Sequence, residues 1–130
     1  MDILLDTCSA LWYFSGDEGM PQSTRKLILN ADNAIYVSIA TVWEVAIKIS
    51  INKLSFDGGI DVFIEAIEDE GFLLLDITTR HIKAVKDLPF IHRDPFDRML
   101  VAQAIVEELP IMTTDSEMVK YDISQIWATQ

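Results

Sequence analysis

The chain has 130 residues, half of them apolar, and sets 21 Asp and Glu against 10 Lys and Arg for a formal net charge of −11. That apolar content excludes a disordered acidic tail, the length suits one domain over residues 1–130, and the acidity argues against a basic-patch nucleic-acid binder. The longest stretch without a charge, 33–43, has 11 residues, where a membrane-spanning helix needs about 20.

The start, Met1-Asp2-Ile3, has no basic segment ahead of an apolar run, and Cys8 is the single cysteine. Both features point to a reducing, cytoplasmic setting without disulfides. Residues 3–5 are a short apolar run ending at Asp6, read as a buried strand. Residues 7–14 begin a helix that Gly16-Asp17-Glu18-Gly19 breaks, and Pro21 and Ser23 introduce a second helix through Leu29. Residues 35–37 read as a second strand. Ser38 then caps a helix over 39–51 whose apolar positions 39, 42, 43, 46 and 47 have the spacing of a buried stripe. Residues 60–70 repeat that spacing and stop at Gly71. A third strand follows at 72–77, and Thr78 or Thr79 caps a helix through Val85. Asp94-Pro95 opens a long helix to about residue 109, residues 110–113 form a fourth strand, a short helix follows Asp115, and residues 123–127 form a fifth, edge strand. Strands alternating with helices imply a three-layer α/β/α domain around a mostly parallel sheet of four to five strands.

In such sheets ligands bind beyond the carboxyl ends of the strands. Four acids fall there: Asp6 after the first strand, Glu44 in the helix after the second, Asp97 in the first turn of the helix before the fourth, and Asp115 after the fourth. Carboxylates brought together repel unless they are protonated or bind a cation, and hard oxygen ligands suit Mg²⁺ or Mn²⁺. Each acid also has a local reading. Asp6 and Asp115 can cap helices, Glu44 can pair with Lys48 one turn on, and Asp97 can be a first-turn acid near the positive end of the dipole in a helix that Asp94 caps. No G-x-S-x-G, P-loop or G-x-G-x-x-G occurs.

Several stretches resemble the PIN-domain family and, within it, the VapC-type ribonuclease toxins of bacterial toxin–antitoxin pairs. They are Leu4-Leu5-Asp6-Thr7, then Val37 through Lys48 with its Trp43-Glu44, then Lys53-Leu54, then His92-Arg93-Asp94-Pro95-Phe96-Asp97-Arg98 running on to Ala104, and finally Pro110-Ile111-Met112-Thr113-Thr114-Asp115. The resemblance covers nearly the whole chain. It implies an endoribonuclease that uses Mg²⁺ or Mn²⁺ and a metal-activated water. Asp6, Glu44 and Asp97 match the family's three main acids and Asp115 the more variable fourth. Asp6 and Asp97 would then be principal ligands, Glu44 a ligand or orienter of water, and Asp115 an outer or second-metal acid. Thr7 and Thr113 are expected to support these carboxylates. A VapB-like antitoxin, an RNA substrate, a homodimer and no membrane association are the implied partners. The alternative is a catalytically silent interaction module that keeps the fold.

Arg93, Arg98 and Lys48 are candidate substrate contacts, as is His92. Against this, Arg98 can pair with Asp94 at i, i+4 and His92 can be a surface loop residue. Trp12, Tyr13 and Phe14 read as core or as a protein contact, Cys8 as a small buried hydrophobe, and His81 as a surface-helix residue. A phosphorylated receiver domain fits poorly, because Asp6 is followed by Thr7-Cys8 and residues 123–130 contain no Lys. Seven acids and no bases fall in residues 57–79, so most of the charge imbalance belongs to one segment.

Overall fold

The computed structural model describes residues 1–127. Five strands, β1 (Asp2–Leu5), β2 (Ala34–Ser38), β3 (Leu73–Leu75), β4 (Ile111–Met112) and β5 (Gln125–Ile126), form one sheet in the order β3-β2-β1-β4-β5. Every pairing is parallel, with Leu4 opposite Tyr36 on one side and Ile111 on the other. The helices are α1 (Thr7–Ser15), α2 (Gln22–Leu29), α3 (Ile39–Ser50), α4 (Gly59–Asp69), α5 (Thr79–Asp87) and α6 (Pro95–Glu107). The expected three-layer architecture is present, and all five strands are parallel. The short helix expected after Asp115 is a single 3-10 turn, Met118–Lys120.

Period-two alternation sorts the strand residues between two cores. Ile3, Leu5, Ile35, Val37 and Met112 face one side, with Tyr13, Met20, Ile28, Phe63, Ile67 and Phe72. Leu4 and Ile111 face the other, with Leu100, Val101, Ala104, Met118 and Tyr121. The central strands are buried on both faces, which is why they read as unbroken apolar runs rather than alternating ones. Tyr13 belongs to the core, and Trp12 and Phe14 pack against it half-buried. Among the described residues, no helix is long and apolar enough to cross a membrane.

The caps decide where the helices begin. The Ser38 hydroxyl accepts the Ala40 N–H (3.0 Å), and one Asp94 carboxylate oxygen accepts both the Phe96 and Asp97 N–H groups (2.8 and 3.1 Å), with Pro95 at the first helical position. Asp6 caps α1 by accepting the Ser9 N–H at 2.7 Å. Thr78, not Thr79, caps α5, in a capping box whose return partner is a histidine in place of the usual Glu or Gln.

That histidine corrects an expectation. His81 is 1 % exposed, far from a surface residue. Its Nδ1 accepts the Thr78 N–H (3.0 Å), so the ring proton sits on Nε2 and points at Glu107 Oε2, 3.3 Å away on α6. One ring thus starts α5 and ties it to α6. We expect His81→Ala to lower unfolding free energy by about 1–3 kcal/mol in urea titrations, the cost of orphaning buried polar groups. A change within about 0.5 kcal/mol, the exposed-site norm, would show the ring to be dispensable.

Candidate metal centre

The sheet order sets the site. The connections from β1 to β2 to β3 run one way, and the next crossover returns past β1 to β4. β1 and β4 are therefore neighbours whose following segments part in opposite directions, and a crevice opens beyond their carboxyl ends. Asp6 stands at the end of β1, and Thr113 to Asp115 at the end of β4. Glu44 reaches the crevice from the second turn of α3, and Asp97 from the first turn of α6. The result is a cleft of about 440 Å³ lined by Asp6, Thr7, Cys8, Leu11, Glu44, Lys48, Asp94, Asp97, Thr114 and Asp115. All four acids singled out from the sequence line it.

Each acid is held by specific partners. Glu44 is 5 % exposed. Its Oε1 accepts the Thr7 hydroxyl proton at 2.7 Å, and its Oε2 meets Lys48 Nζ at 2.9 Å. Thr7 has spent its only proton on Glu44, so the Thr41 hydroxyl, 3.1 Å away, is the donor to Thr7. The supporting role expected of Thr7 thus has a geometry. Thr113 is fully buried, accepts the Asp115 N–H at 3.0 Å and lies beside the Asp6 carboxyl. Asp115 Oδ1 accepts the Glu117 N–H at 2.8 Å.

The electrostatics follow from crowding. Burial pushes the Asp6 carboxyl above its ordinary value, against hydrogen bonds from Thr113 and Ser9 that act the other way. Asp97 is pushed from 3.8 up to about 7, first by burial and then by the charges of Asp94 and Glu44, with His92 opposing. The Glu44 hydrogen bond raises Lys48. Hard carboxylate oxygens converging around an acid that ionises reluctantly without a cation are a donor set that fits Mg²⁺ or Mn²⁺. Asp6 and Asp97 are the acids whose proton affinity is raised, with Glu44 and Asp115 completing the ring.

The basic residues divide. Lys48 lines the cleft while paired to Glu44. Arg93 is exposed and lies outside the cleft, along a neighbouring apolar recess of about 320 Å³ with Trp43, Phe90 and Phe96. Arg98 does not line the cleft. It is 8 % exposed, and its guanidinium donates to the carbonyls of Pro89 (3.0 Å) and Val85 (3.2 Å) and to the Tyr121 hydroxyl (3.2 Å), with the Phe90 ring at 4.8 Å. It pins the loop ahead of α6. The alternative reading, an Arg98–Asp94 ion pair, is not what these side chains make: the guanidinium is taken up by Pro89, Val85 and Tyr121, and Asp94 Oδ1 caps α6. Cys8, expected to be buried, is exposed on the cleft wall. Among the residues read as minor from sequence, His92 stands out: its Nε2 lies 3.0 Å from Asp97 Oδ2 and 3.3 Å from Asp115 Oδ2. Its position in the His92-Arg93-Asp94-Pro95-Phe96-Asp97 run was visible, but its reach to Asp115, 23 residues on, was not.

The raised carboxyl of Asp97 gives a pH dependence with a defined sign. The fold binds this proton more tightly than the unfolded chain, so the stability it contributes is complete below about pH 3.8 and is lost as pH rises toward about 7. In EDTA, melting temperatures of the wild type should therefore fall from pH 5 to 8 more steeply than those of Asp97→Asn, and Mn²⁺ should restore the wild type most at the alkaline end. Parallel slopes for the two proteins would refute the assignment.

A PIN domain model matches residues 3–124. Solved structures of similar fold include VapBC2 from Rickettsia felis, bound to a DNA fragment from their promoter, at 13 % identity and TM-score 0.76 over 98 % of this chain and 100 % of that one. DNA-bound VapBC from Salmonella typhimurium has 16 % identity and TM-score 0.69 over 97 % of each chain. FitAcB from Neisseria gonorrhoeae has 20 % identity and TM-score 0.55 over 95 % of this chain and 96 % of that one. At such identities the likeness is one of fold. No curated protein matches the sequence closely. With its matched residues spanning nearly the whole sequence, the chain belongs to the PIN domain family.

Proposed function

We propose that this protein is a divalent-metal-dependent endoribonuclease, the VapC-type toxin of a toxin–antitoxin pair, working in the cytoplasm. The observation that carries the reading is the single cleft into which a PIN domain delivers Asp6, Glu44, Asp97 and Asp115. Structural neighbours that are VapBC complexes support the toxin assignment. Mg²⁺ or Mn²⁺ would be held chiefly by Asp6 and Asp97, with Asp115 at the edge. Bound there, the ion supplies a more acidic water and neutralises charge on a phosphodiester. The chain's own residues do the rest. Glu44, oriented by Thr7, would orient or deprotonate the attacking water. Lys48 offers an ammonium at the cleft to the RNA backbone, and Arg93 lies outside the cleft, in reach only of flanking phosphates.

The partners follow from the surfaces. A VapB-like antitoxin would cover the cleft and place a basic side chain among its acids. A second copy would cover the recess beside α6, where Trp43 is 59 % and Phe90 78 % exposed. The reading as a silent interaction module has no observation in its favour, since all four acids are present and convergent.

Purified protein, freed of any partner, should cleave single-stranded RNA with Mg²⁺ or Mn²⁺ and stop in EDTA. Asp6→Asn and Asp97→Asn should each lose at least about 100-fold in rate, the upper end of what even outer-shell partners of a metal site cost. Asp61, Glu65 and Glu68 are exposed on α4 and do not line the cleft, so their joint conversion to amides should leave the rate unchanged. Folded protein that cleaves no RNA with either ion would leave the silent module as the better account. Light scattering should give twice the chain mass, and Trp43→Glu with Phe90→Glu should give a monomer.

A further inference from the structure

We infer that His92 is a positioning residue, a clamp that holds Asp97 and Asp115 together, and that it is neither a metal ligand nor a substrate contact. The inference rests on the reading of the cleft as a cation site.

The backbone on either side of the ring is tied down. The Tyr121 hydroxyl accepts the N–H groups of Ile91 (3.3 Å) and His92 (2.8 Å), and Arg98 donates to the same oxygen. The Asp94 N–H donates to His92 Nδ1 at 3.2 Å. That lone pair is thereby used, so the neutral ring carries its proton on Nε2. Nε2–H then points between Asp97 Oδ2 (3.0 Å) and Asp115 Oδ2 (3.3 Å), a shared donor for two acids from different elements.

The three atoms lie within 4.8 Å of one another, a spacing that a metal ion could also span. Two observations favour the clamp over the ligand. A ligating nitrogen must offer a lone pair, and here Nε2 holds a proton while Nδ1 is occupied. The ring is also missing from the cleft lining that Asp97 and Asp115 share with Asp6 and Glu44. Asp115 is consequently held at both oxygens, by the Glu117 N–H at Oδ1 and by His92 at Oδ2. Outer partners of this kind orient ligands, and their loss lowers metal affinity by about 10–100-fold.

The test is a calorimetric Mn²⁺ titration of wild type, His92→Ala and His92→Gln at constant pH, with folding checked by melting in EDTA. We expect His92→Ala to weaken Mn²⁺ binding by about 10–100-fold and His92→Gln, whose amide N–H reaches near the Nε2 position, to recover most of it. A merely structural role would not give that recovery. On the wild type itself, ¹⁵N spectra should show the Nε2–H tautomer with and without Mg²⁺, and pulsed EPR of the Mn²⁺ complex should show no directly bound histidine nitrogen. These two spectra decide the matter even if His92→Ala fails to fold. Unchanged or tighter binding in folded His92→Ala overturns the clamp, as does direct nitrogen coupling. Wild type that binds no Mn²⁺ overturns the clamp and the nuclease reading together, whereas normal wild-type binding with an indifferent variant overturns the clamp alone.

Discussion

The arrangement depends on carboxylates being held closer together than they would choose in water. The order β3-β2-β1-β4-β5 makes β1 and β4 neighbours at the point where the crossovers diverge, so acids at both strand ends face one crevice. α3 and α6 then add one more each. Burial and mutual repulsion raise Asp97 and Asp6, which marks the cleft as a place where the fold stores unfavourable charge. Much of the surrounding hydrogen bonding answers that charge. The Thr7 hydroxyl and Lys48 meet Glu44, the Ser9 N–H and Thr113 meet Asp6, and His92 meets the remaining pair.

Local rules made most of the scaffold legible. The central strands announced themselves as apolar runs because both sheet faces are covered, and α3, α5 and α6 announced themselves through Ser38, Thr78 and Asp94. The four acids could be picked out because a parallel sheet has one functional edge. What failed to show were contacts between residues far apart in sequence. The i, i+4 rule offered Asp94 to Arg98, but the cap had already taken that carboxylate, and the guanidinium went to carbonyls that no spacing rule predicts. His81 was read only as a residue of a surface helix, whereas its ring closes a capping box in place of the usual Glu or Gln and is buried. Cys8 was misread through its chemistry alone: the buried positions of α1 are 7, 9, 10 and 13, and residue 8 falls outside them.

The net charge of −11 turns out to describe two unlike populations. The acids at 61, 65 and 68 sit exposed on α4, each solvated separately. The cleft acids are fewer but held together, away from bulk water. Only the second group shapes the chemistry of the site, since desolvated charge interacts far more strongly than screened surface charge.

Tyr121 gives the fold a property that concerns time rather than space. Its hydroxyl fastens Ile91, His92 and Arg98, so the loop that sets Asp97 is secured by a residue 24 positions further along. Chains emerge from the ribosome N-terminus first. Asp6, Glu44 and Asp97 are therefore all synthesised before the tyrosine that fastens the loop. The hydrogen bonds that fix this loop cannot form until residue 121 has been made, so the setting of Asp97 belongs to the last part of the chain to be synthesised.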